Sequence, residues 1–319
     1  MINIIIIMLV LQLVIVQLAT GFLFNTQPRP PPPPTNNNND RRDFLLQTTS
    51  ATVSLLLPTQ TANALVDISS SSPPTTSNIY DRPRNANLDQ FFANGMATEM
   101  VGYEEKAKPY KQKLFNSLFA SLSKEDNTRP TILEVGMGTF PNAPYYAQGI
   151  KDHPSLQGFD IISVDPNDYM HSYAIQSAEK SGLISSSTTS KTTLRNVHGV
   201  AEALPFDDNS IDAVVGTLTL CSVIDQNRAL QEIHRVLKPN TGKYLFWEHV
   251  LSENDTGLMV QQKVLSPLQT LVADGCHLNR RTGMNIVDSS LFNGGVEMEY
   301  IVLDEGGIIA PTSYGIATA

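Results

Sequence analysis

Cysteine and positive charge are both scarce in this 319-residue chain. Its two cysteines, Cys221 and Cys276, show no C-x-x-C spacing, so the sequence indicates neither a zinc site nor a disulfide scaffold. Lys and Arg total 22 against 31 Asp and Glu, which gives a formal net charge of -9. Because an acidic surface repels phosphate backbones, we expect no nucleic-acid partner. No group of carboxylates suggests a divalent metal either, so we predict no metal site.

The first 24 residues are almost continuously apolar. Only Asn3, Gln12, Gln17 and Thr20 interrupt this segment, and near its end residues 19–22 (Ala-Thr-Gly-Phe) include small residues that suit a signal peptidase. It is either a signal peptide or, because it is long enough to span a bilayer, a membrane anchor.

A second export signal follows the first. Runs of proline and asparagine precede Arg41 and Arg42, which lead into an apolar stretch and a small-residue site at 62–64. Twin arginines followed by such a segment are typical of Tat export, although the pair could also be basic residues of a transit segment. The serial arrangement resembles import into an algal plastid of secondary origin. We therefore predict a targeting leader at 1–64 and a thylakoid-lumen protein, with membrane anchoring by 1–24 as the alternative.

The remaining chain is long enough for one well-packed domain. We assign a disordered linker to 65–90, which contains a stretch rich in serine, proline and threonine, and one globular domain to 91–319.

The segment 131–139 predicts a ligand-binding loop. An apolar strand carrying Glu134 leads directly into a turn that contains Gly136 and Gly138, which permit positive φ angles and close approach of a ligand. A second apolar run ends in Asp165, which could accept both hydroxyls of a ribose. The loop continues with Thr139 and Phe140 and never completes G-x-G-x-x-G, which disfavours a dinucleotide enzyme.

Four further motifs, at 201–206, 209–215, 230–239 and 242–249, follow in a fixed order. This order resembles the class I methyltransferases. The resemblance implies S-adenosylmethionine as cofactor, with Ala201 and Glu202 near its adenine, Thr217 beside the site of methyl transfer, and Glu134 orienting its amino-acid end.

The resemblance is sharper at 216–223, 248–250, 273–279 and the closing Tyr314 and Gly315. These segments are similar to the thiol methyltransferases of animals and their plant relatives. They imply transfer of a methyl group to a small lipophilic acceptor, preferably a thiol. A methyltransferase of prenylated quinones or plastid lipids, and a non-catalytic cofactor-binding protein, remain alternatives.

Periodicity predicts the order of elements. We expect an α/β, Rossmann-like fold with a helix at 97–123, five parallel strands near 132–135, 161–164, 194–198, 211–217 and 243–248, and a C-terminal antiparallel hairpin at 297–303 and 308–316. The resulting seven-stranded sheet is mostly parallel. The segment 251–293 is longer than a simple crossover between two strands requires, and we expect it to form a helical cap. Contact with a membrane through the N-terminal segment or this cap stays open.

The sequence contains fewer motifs that identify the residues around the methyl acceptor. His249, at the end of the fifth strand, and His277, in the cap, are the candidate proton acceptors, and either could instead be a structural histidine. We expect Leu218, Leu220, Cys221 and Asp274 to contact the acceptor, in an apolar pocket completed by Val264, Leu265 and Leu271.

Phe140 departs from the family pattern, which has glycine at this position. A bulky residue is not expected to adopt the positive φ of a glycine, so we expect the loop to differ locally there.

Overall fold

The computed structural model describes residues 79–123, 128–184 and 191–319. The predicted leader at 1–64, with its apolar segment and twin arginines, lies outside the described residues, as does the predicted linker up to residue 78.

Seven strands form a single sheet in the order β3-β2-β1-β4-β5-β7-β6. The strands are β1 (Thr131–Val135), β2 (Asp160–Asp165), β3 (Thr193–His198), β4 (Ala213–Thr217), β5 (Lys243–His249), β6 (Val296–Val302) and β7 (Pro311–Thr318). The first five pair in parallel, whereas β7 lies antiparallel between β5 and β6. The predicted Rossmann-like class I methyltransferase fold, with its C-terminal antiparallel hairpin, is confirmed.

Seven α-helices are present in the described parts of the chain. They are α1 (Ala86–Glu99), α2 (Val101–Leu122), α3 (Ala143–Asp152), α4 (Met170–Lys180), α5 (Gln226–Val236), α6 (Thr256–Val272) and α7 (Thr282–Asp288). Of these, α6 and α7 lie between β5 and β6, within the range predicted for the helical cap.

The two faces of the sheet carry separate apolar cores. Side chains alternate along each strand, so Leu245 and Trp247 of β5 pack into one core while Tyr244 and Phe246 pack into the other. All four are fully buried. Helices on both faces therefore exclude water from the strands, as a parallel sheet requires.

The N-terminal helical region differs from the prediction in two ways. The expected single helix at 97–123 is two helices, since the chain turns at Met100 between α1 and α2. Helix α1 begins at Ala86, inside the range assigned to the linker, because the Asn85 side chain accepts the backbone N–H groups of Asn87 and Leu88. Among the described residues, no helix has the length and apolarity needed to cross a membrane.

Candidate active site

A cavity of about 470 Å³ opens where β1, β2 and β4 end. Between β1 and β4 the strand order reverses, because β2 and β3 extend the sheet on one side and β4 and β5 on the other. A doubly wound sheet binds ligands at this switch point, outside the carboxyl ends of its strands. The volume lies within the usual range for small-molecule sites.

The loop after β1 forms one wall of the cavity. Gly136 has φ +62°, and a Cβ built on it would come within 2.7 Å of the Thr219 side chain, so only glycine fits. Gly138 has φ +57°, and a Cβ there would meet no protein atom within 4 Å. Because Gly138 lines the cavity, the space it leaves free belongs to the cavity.

Phe140 adopts the conformation that we expected it to avoid. Its φ is +58°, and its ring is fully buried beside Tyr146, with 5.5 Å between the ring centroids. Ser177 Oγ also donates to the Phe140 carbonyl. Burial of the ring offsets the cost of the left-handed conformation, which is about 1–2 kcal/mol for an L-residue. The expectation that Phe140 would avoid a positive φ is therefore wrong.

Asp165 joins the end of β2 to the glycine loop. Its Oδ2 accepts the Gly138 N–H at 3.0 Å, and its Oδ1 accepts the Asn167 N–H at 2.8 Å. Burial raises the pKa of Asp165 to about 6, while these two N–H groups act in the opposite direction. The carboxylate lines the cavity, and each of its oxygens keeps a lone pair for a further donor.

Glu134 is fully buried behind the loop and does not line the cavity. Its two oxygens accept the Asn142 amide at 2.8 Å and the Tyr146 hydroxyl at 2.7 Å. Burial raises the pKa of Glu134 to about 7. Asn142 also donates to Thr217 Oγ1, so Glu134 connects the β1 loop to the end of β4 and can act on a ligand only indirectly.

The remaining expected cofactor contacts do lie at the cavity. Ala201, Glu202 and Thr217 line it, and so do the expected acceptor contacts Leu218 and Asp274. Leu218 and Asp274 both have positive φ, +56° and +47°. Strained non-glycine residues are concentrated at functional sites in proteins, which agrees with their position here.

Several predicted site residues do not reach the cavity. His249 and Cys221 are buried behind its wall, and His277 donates its backbone N–H to the Cys221 carbonyl. Leu220 packs in a core on the sheet. Direct proton transfer by His249 or His277, and direct acceptor contact by Leu220 or Cys221, do not fit this placement.

The expected apolar pocket also differs. Val264 and Leu265 are absent from the residues lining the cavity, and the Val264 side chain is 71% exposed. Leu271 does line the cavity, but it lies at the rim, because it is 73% exposed. The reason is the orientation of α6, which turns these apolar residues away from the sheet.

Sequence reasoning missed the N-terminal part of the site. Helix α1 covers the cavity with Phe91, Phe92 and Met96, and Arg84 lies at its rim. The Arg84 guanidinium pairs with Asp89 at 2.8 Å and with Asp274 of the cap at 2.7 Å. The sequence does contain a helix-start signal at Asn85. The preceding stretch is rich in serine and proline, however, and for this reason the linker was predicted to end too late in the chain.

The two cysteines lie together, which their spacing in the sequence does not reveal. The side-chain ligand atoms of Cys221, His249 and Cys276 are all within 4.8 Å of one another. The three residues come from the loop after β4, the end of β5 and the cap.

These residues fit S-adenosylmethionine. Gly136 and Gly138 leave space for a ligand against the backbone, and Asp165 presents acceptor oxygens for ribose hydroxyls at the end of β2. The cofactor supplies a methyl group activated on a sulfonium.

Comparisons with known proteins agree with this geometry. The methyltransferase domain family matches residues 133–246. Human thiol S-methyltransferase TMT1A is 35% identical over 184 residues, which are 57% of this chain and 67% of that protein. Thiol S-methyltransferase TMT1B of Rattus norvegicus is 32% identical over 196 residues, 61% of this chain and 73% of that protein.

A third relative is more distant. The mitochondrial 2-methoxy-6-polyprenyl-1,4-benzoquinol methylase of Bos taurus is 36% identical over 98 residues, but these cover only 31% of this chain and 27% of that protein. The fold, the cavity and the extent of the first two matches lead to one assignment. The chain is an S-adenosylmethionine-dependent enzyme that belongs to the class I methyltransferases and is related within them to the thiol S-methyltransferases.

Proposed function

We propose that this enzyme methylates the sulfur of small lipophilic thiols. The observation that carries the proposal is a cavity with an apolar side and no histidine, lysine or cysteine among the described residues that line it. Two relatives that match more than half of this chain are named thiol S-methyltransferases, which supports the same acceptor class.

The apolar side of the cavity favours lipophilic acceptors. It is formed mainly by α1 and by the loop after β4, with Leu88, Phe91, Phe92, Met96, Met100 and Leu218 facing the space. Such a surface gains free energy by excluding water from an apolar ligand, at roughly 25 cal/mol for each Å² buried. It offers few partners for the hydroxyls of a sugar or the phosphates of a nucleotide.

None of the described residues that line the cavity is a histidine or a lysine that could remove a proton, and this favours an acceptor that ionises easily. A thiol has a pKa near 8.5, so a useful fraction is already thiolate at neutral pH, whereas a phenol with a pKa near 10 needs help from a base. Cavity carboxylates are weak bases, and Asp274 is paired with Arg84. The thiol proton can be lost to solvent before transfer.

The protein then accelerates methyl transfer mainly by holding the methyl donor and the acceptor in the right relative position. Asp165 and the glycine loop hold the methyl donor, while α1 and Leu218 hold the acceptor and keep water away. Alignment of two reactants can supply about 7–11 kcal/mol of the barrier reduction. The thiolate sulfur would bond to the methyl carbon as the methyl–sulfonium bond breaks, which would give a neutral methyl thioether and S-adenosylhomocysteine, whose sulfur would keep the bonding electron pair.

The full-length chain can be tested with matched acceptors. A thiol, an alcohol, a phenol and an amine on comparable apolar skeletons are incubated with S-adenosylmethionine, and the methylated product is measured. The thiol should be preferred, its rate should rise with pH as thiolate forms, and added Mg²⁺ should not change the rate. Asp165→Ala, which should bind cofactor poorly, controls for contaminating activity.

Two results would count against the thiol assignment. One is a clear preference for a ring carbon of a prenylated quinone, which the similarity to the bovine quinol methylase makes the second candidate. The other is loss of activity with a chelator that Mg²⁺ restores, since that points to a hydroxyl acceptor activated by a hard cation.

A further inference from the structure

Cys221, His249 and Cys276 form a polar cluster inside the protein. Their relative exposures are 2%, 2% and 8%, and their ligand atoms all lie within 4.8 Å of one another. His249 Nε2 is 2.9 Å from Cys276 Sγ. None of the three lines the cofactor cavity, so the proposed methyl transfer does not use them.

Ordinary packing accounts poorly for this cluster. A buried imidazole normally has both nitrogens hydrogen-bonded, but His249 Nδ1 has no partner among the described residues. Thiols are weak donors and weak acceptors, so the sulfurs compensate little for the water that the imidazole loses. A cation between the three groups would take as ligands Nε2, the nitrogen that faces Cys276 Sγ, and both sulfurs, and would replace a weak nitrogen–sulfur contact; Nδ1 would keep its present surroundings.

The backbone around the cluster is fixed by other contacts. The buried carboxylate of Glu248 accepts the N–H groups of Thr219, Leu220 and Cys221. The carbonyl of Cys221 accepts the His277 N–H at 2.9 Å. The three side chains are therefore held near each other by the fold, which reduces the ordering that a bound ion would require.

The donor set selects the class of ion. Two thiolates and an imidazole are ligands for zinc and other thiophilic cations, whereas Mg²⁺ and Ca²⁺ need oxygen ligands. Two thiolates also neutralise the charge of one Zn²⁺, which matters in a site with almost no exposure. Binding would release one proton from each thiol and leave one coordination position for a fourth ligand.

We propose that Cys221, His249 and Cys276 form a buried zinc site that joins the cap to the carboxyl edge of the sheet. Cys276 belongs to the cap, while Cys221 and His249 belong to the loop after β4 and the end of β5. Their neighbours Ser222 and Gly275 line the cavity, so the bound ion would hold two walls of the active site together.

Metal content tests the proposal directly. The full-length chain, purified in a reducing buffer without chelator and dialysed against metal-free buffer, should retain one zinc per molecule. Substitution with Co²⁺ should give the near-ultraviolet absorption of thiolate-to-cobalt charge transfer. Cys221→Ala and Cys276→Ala should each lower zinc affinity by more than about 100-fold, beyond the 10–100-fold typical of changes around the ligands.

Two controls separate loss of the site from loss of the fold. Calorimetric binding of S-adenosylmethionine shows that each cysteine variant is folded, because the cluster lies outside the cavity. His198→Asn removes a histidine outside the cluster that lies beside two carboxylates, those of Asp81 and Asp168, and this variant should keep its zinc. A strong zinc chelator should lower the melting temperature of the unmodified chain and leave that of Cys276→Ala unchanged.

Three results would overturn the proposal. These are no retained zinc, equal zinc affinity in the cysteine variants and the unmodified chain, or recovery of Cys221 and Cys276 as a disulfide from the freshly purified native protein.

Discussion

Asp165 is a buried acid whose charge state should control cofactor affinity. Burial raises its pKa to about 6, and ribose hydroxyls would donate to its ionised form. Cofactor binding therefore favours ionisation, so affinity is near its full value at pH 7 and falls as the pH drops through 6. With a pKa of about 6, only about a tenth of the carboxyls are ionised at pH 5, and affinity should be up to about tenfold weaker there than at pH 7.

Calorimetry of S-adenosylmethionine binding between pH 5 and pH 7 measures this dependence. Asp165→Asn should bind more weakly at every pH and lose the change near pH 6, and Asp165→Ala should lose about 1–3 kcal/mol of binding free energy. Unchanged affinity in Asp165→Ala would remove this residue from the site.

Phe140 makes opposing contributions to the free energy of unfolding. Its ring is fully buried, and removing it should cost about 3–5 kcal/mol, whereas its φ of +58° costs about 1–2 kcal/mol. Phe140→Ala loses the ring and keeps the backbone strain, but Phe140→Gly loses both. We therefore expect the glycine variant to be about 1 kcal/mol more stable than the alanine variant, although a glycine variant is ordinarily the less stable of the two.

Urea unfolding of both variants gives the difference. Ala147, buried within helix α3, provides the control, because Ala147→Gly at an interior helical position should destabilise by about 1 kcal/mol. A glycine variant of Phe140 that is less stable than the alanine variant would show that the left-handed conformation is not strained.

The site residues whose position was predicted best are those that follow a local sequence pattern, an apolar strand followed by a tight turn. Gly136, Gly138 and Asp165 lie at the ends of strands, and a strand followed by a tight turn fixes their place at the sheet edge. His249 also ends a strand, yet it lies outside the cavity, since its orientation depends on how the cap packs around it. Long-range packing of this kind has no local signal in the sequence.

At the scale of elements, the cap helix α6 has polar residues on its buried face and apolar residues on its exposed face, the reverse of the usual distribution. Its buried face includes Gln262 and Ser266, whereas Val260, Val264 and Leu271 are exposed. This inversion explains why an apolar pocket was expected at α6, because apolar spacing normally marks the buried face of a helix. By contrast, the strands β1, β2 and β5 were predicted within a residue or two, since their apolar runs are bounded by turns.

Gln262 holds α6 to the rest of the domain. Its amide accepts the Ser252 N–H and donates to the carbonyls of Val250 and Ile308, at 2.7, 2.9 and 2.9 Å. Gln262→Leu keeps a similar volume but leaves three backbone groups without a partner, at about 1–3 kcal/mol for a buried group. We expect a destabilisation of about 2–4 kcal/mol in urea unfolding.

Val264 on the same helix is the matched control. Because it is 71% exposed, Val264→Thr should change stability by less than about 0.5 kcal/mol. Similar effects of the two substitutions would mean that the polar face of α6 does not anchor the cap.

At the scale of the whole molecule, a methyltransferase domain follows the N-terminal segment for which we predict export signals. The parallel pairing of the first five strands and the antiparallel pairing of the last two were predictable, because alternating strands and helices give parallel neighbours and β6 and β7 follow each other closely. The seventh strand begins at Pro311 rather than at 308, because Gly307–Ile309 form a short 3-10 helix. The start of the domain was not predictable, since the helix α1 that covers the cavity directly follows a stretch of linker-like composition.

The last prediction concerns the N-terminal 64 residues. An apolar segment at 1–24, twin arginines at 41–42 and a small-residue site at 62–64 are the features from which we predict two export signals in series. We propose that both are removed during import into a plastid lumen, so that the native protein begins at or near Leu65. N-terminal sequencing of the protein isolated from its own cells tests this directly. A protein that retains Met1 and stays in the membrane fraction would instead mean that residues 1–24 are a membrane anchor.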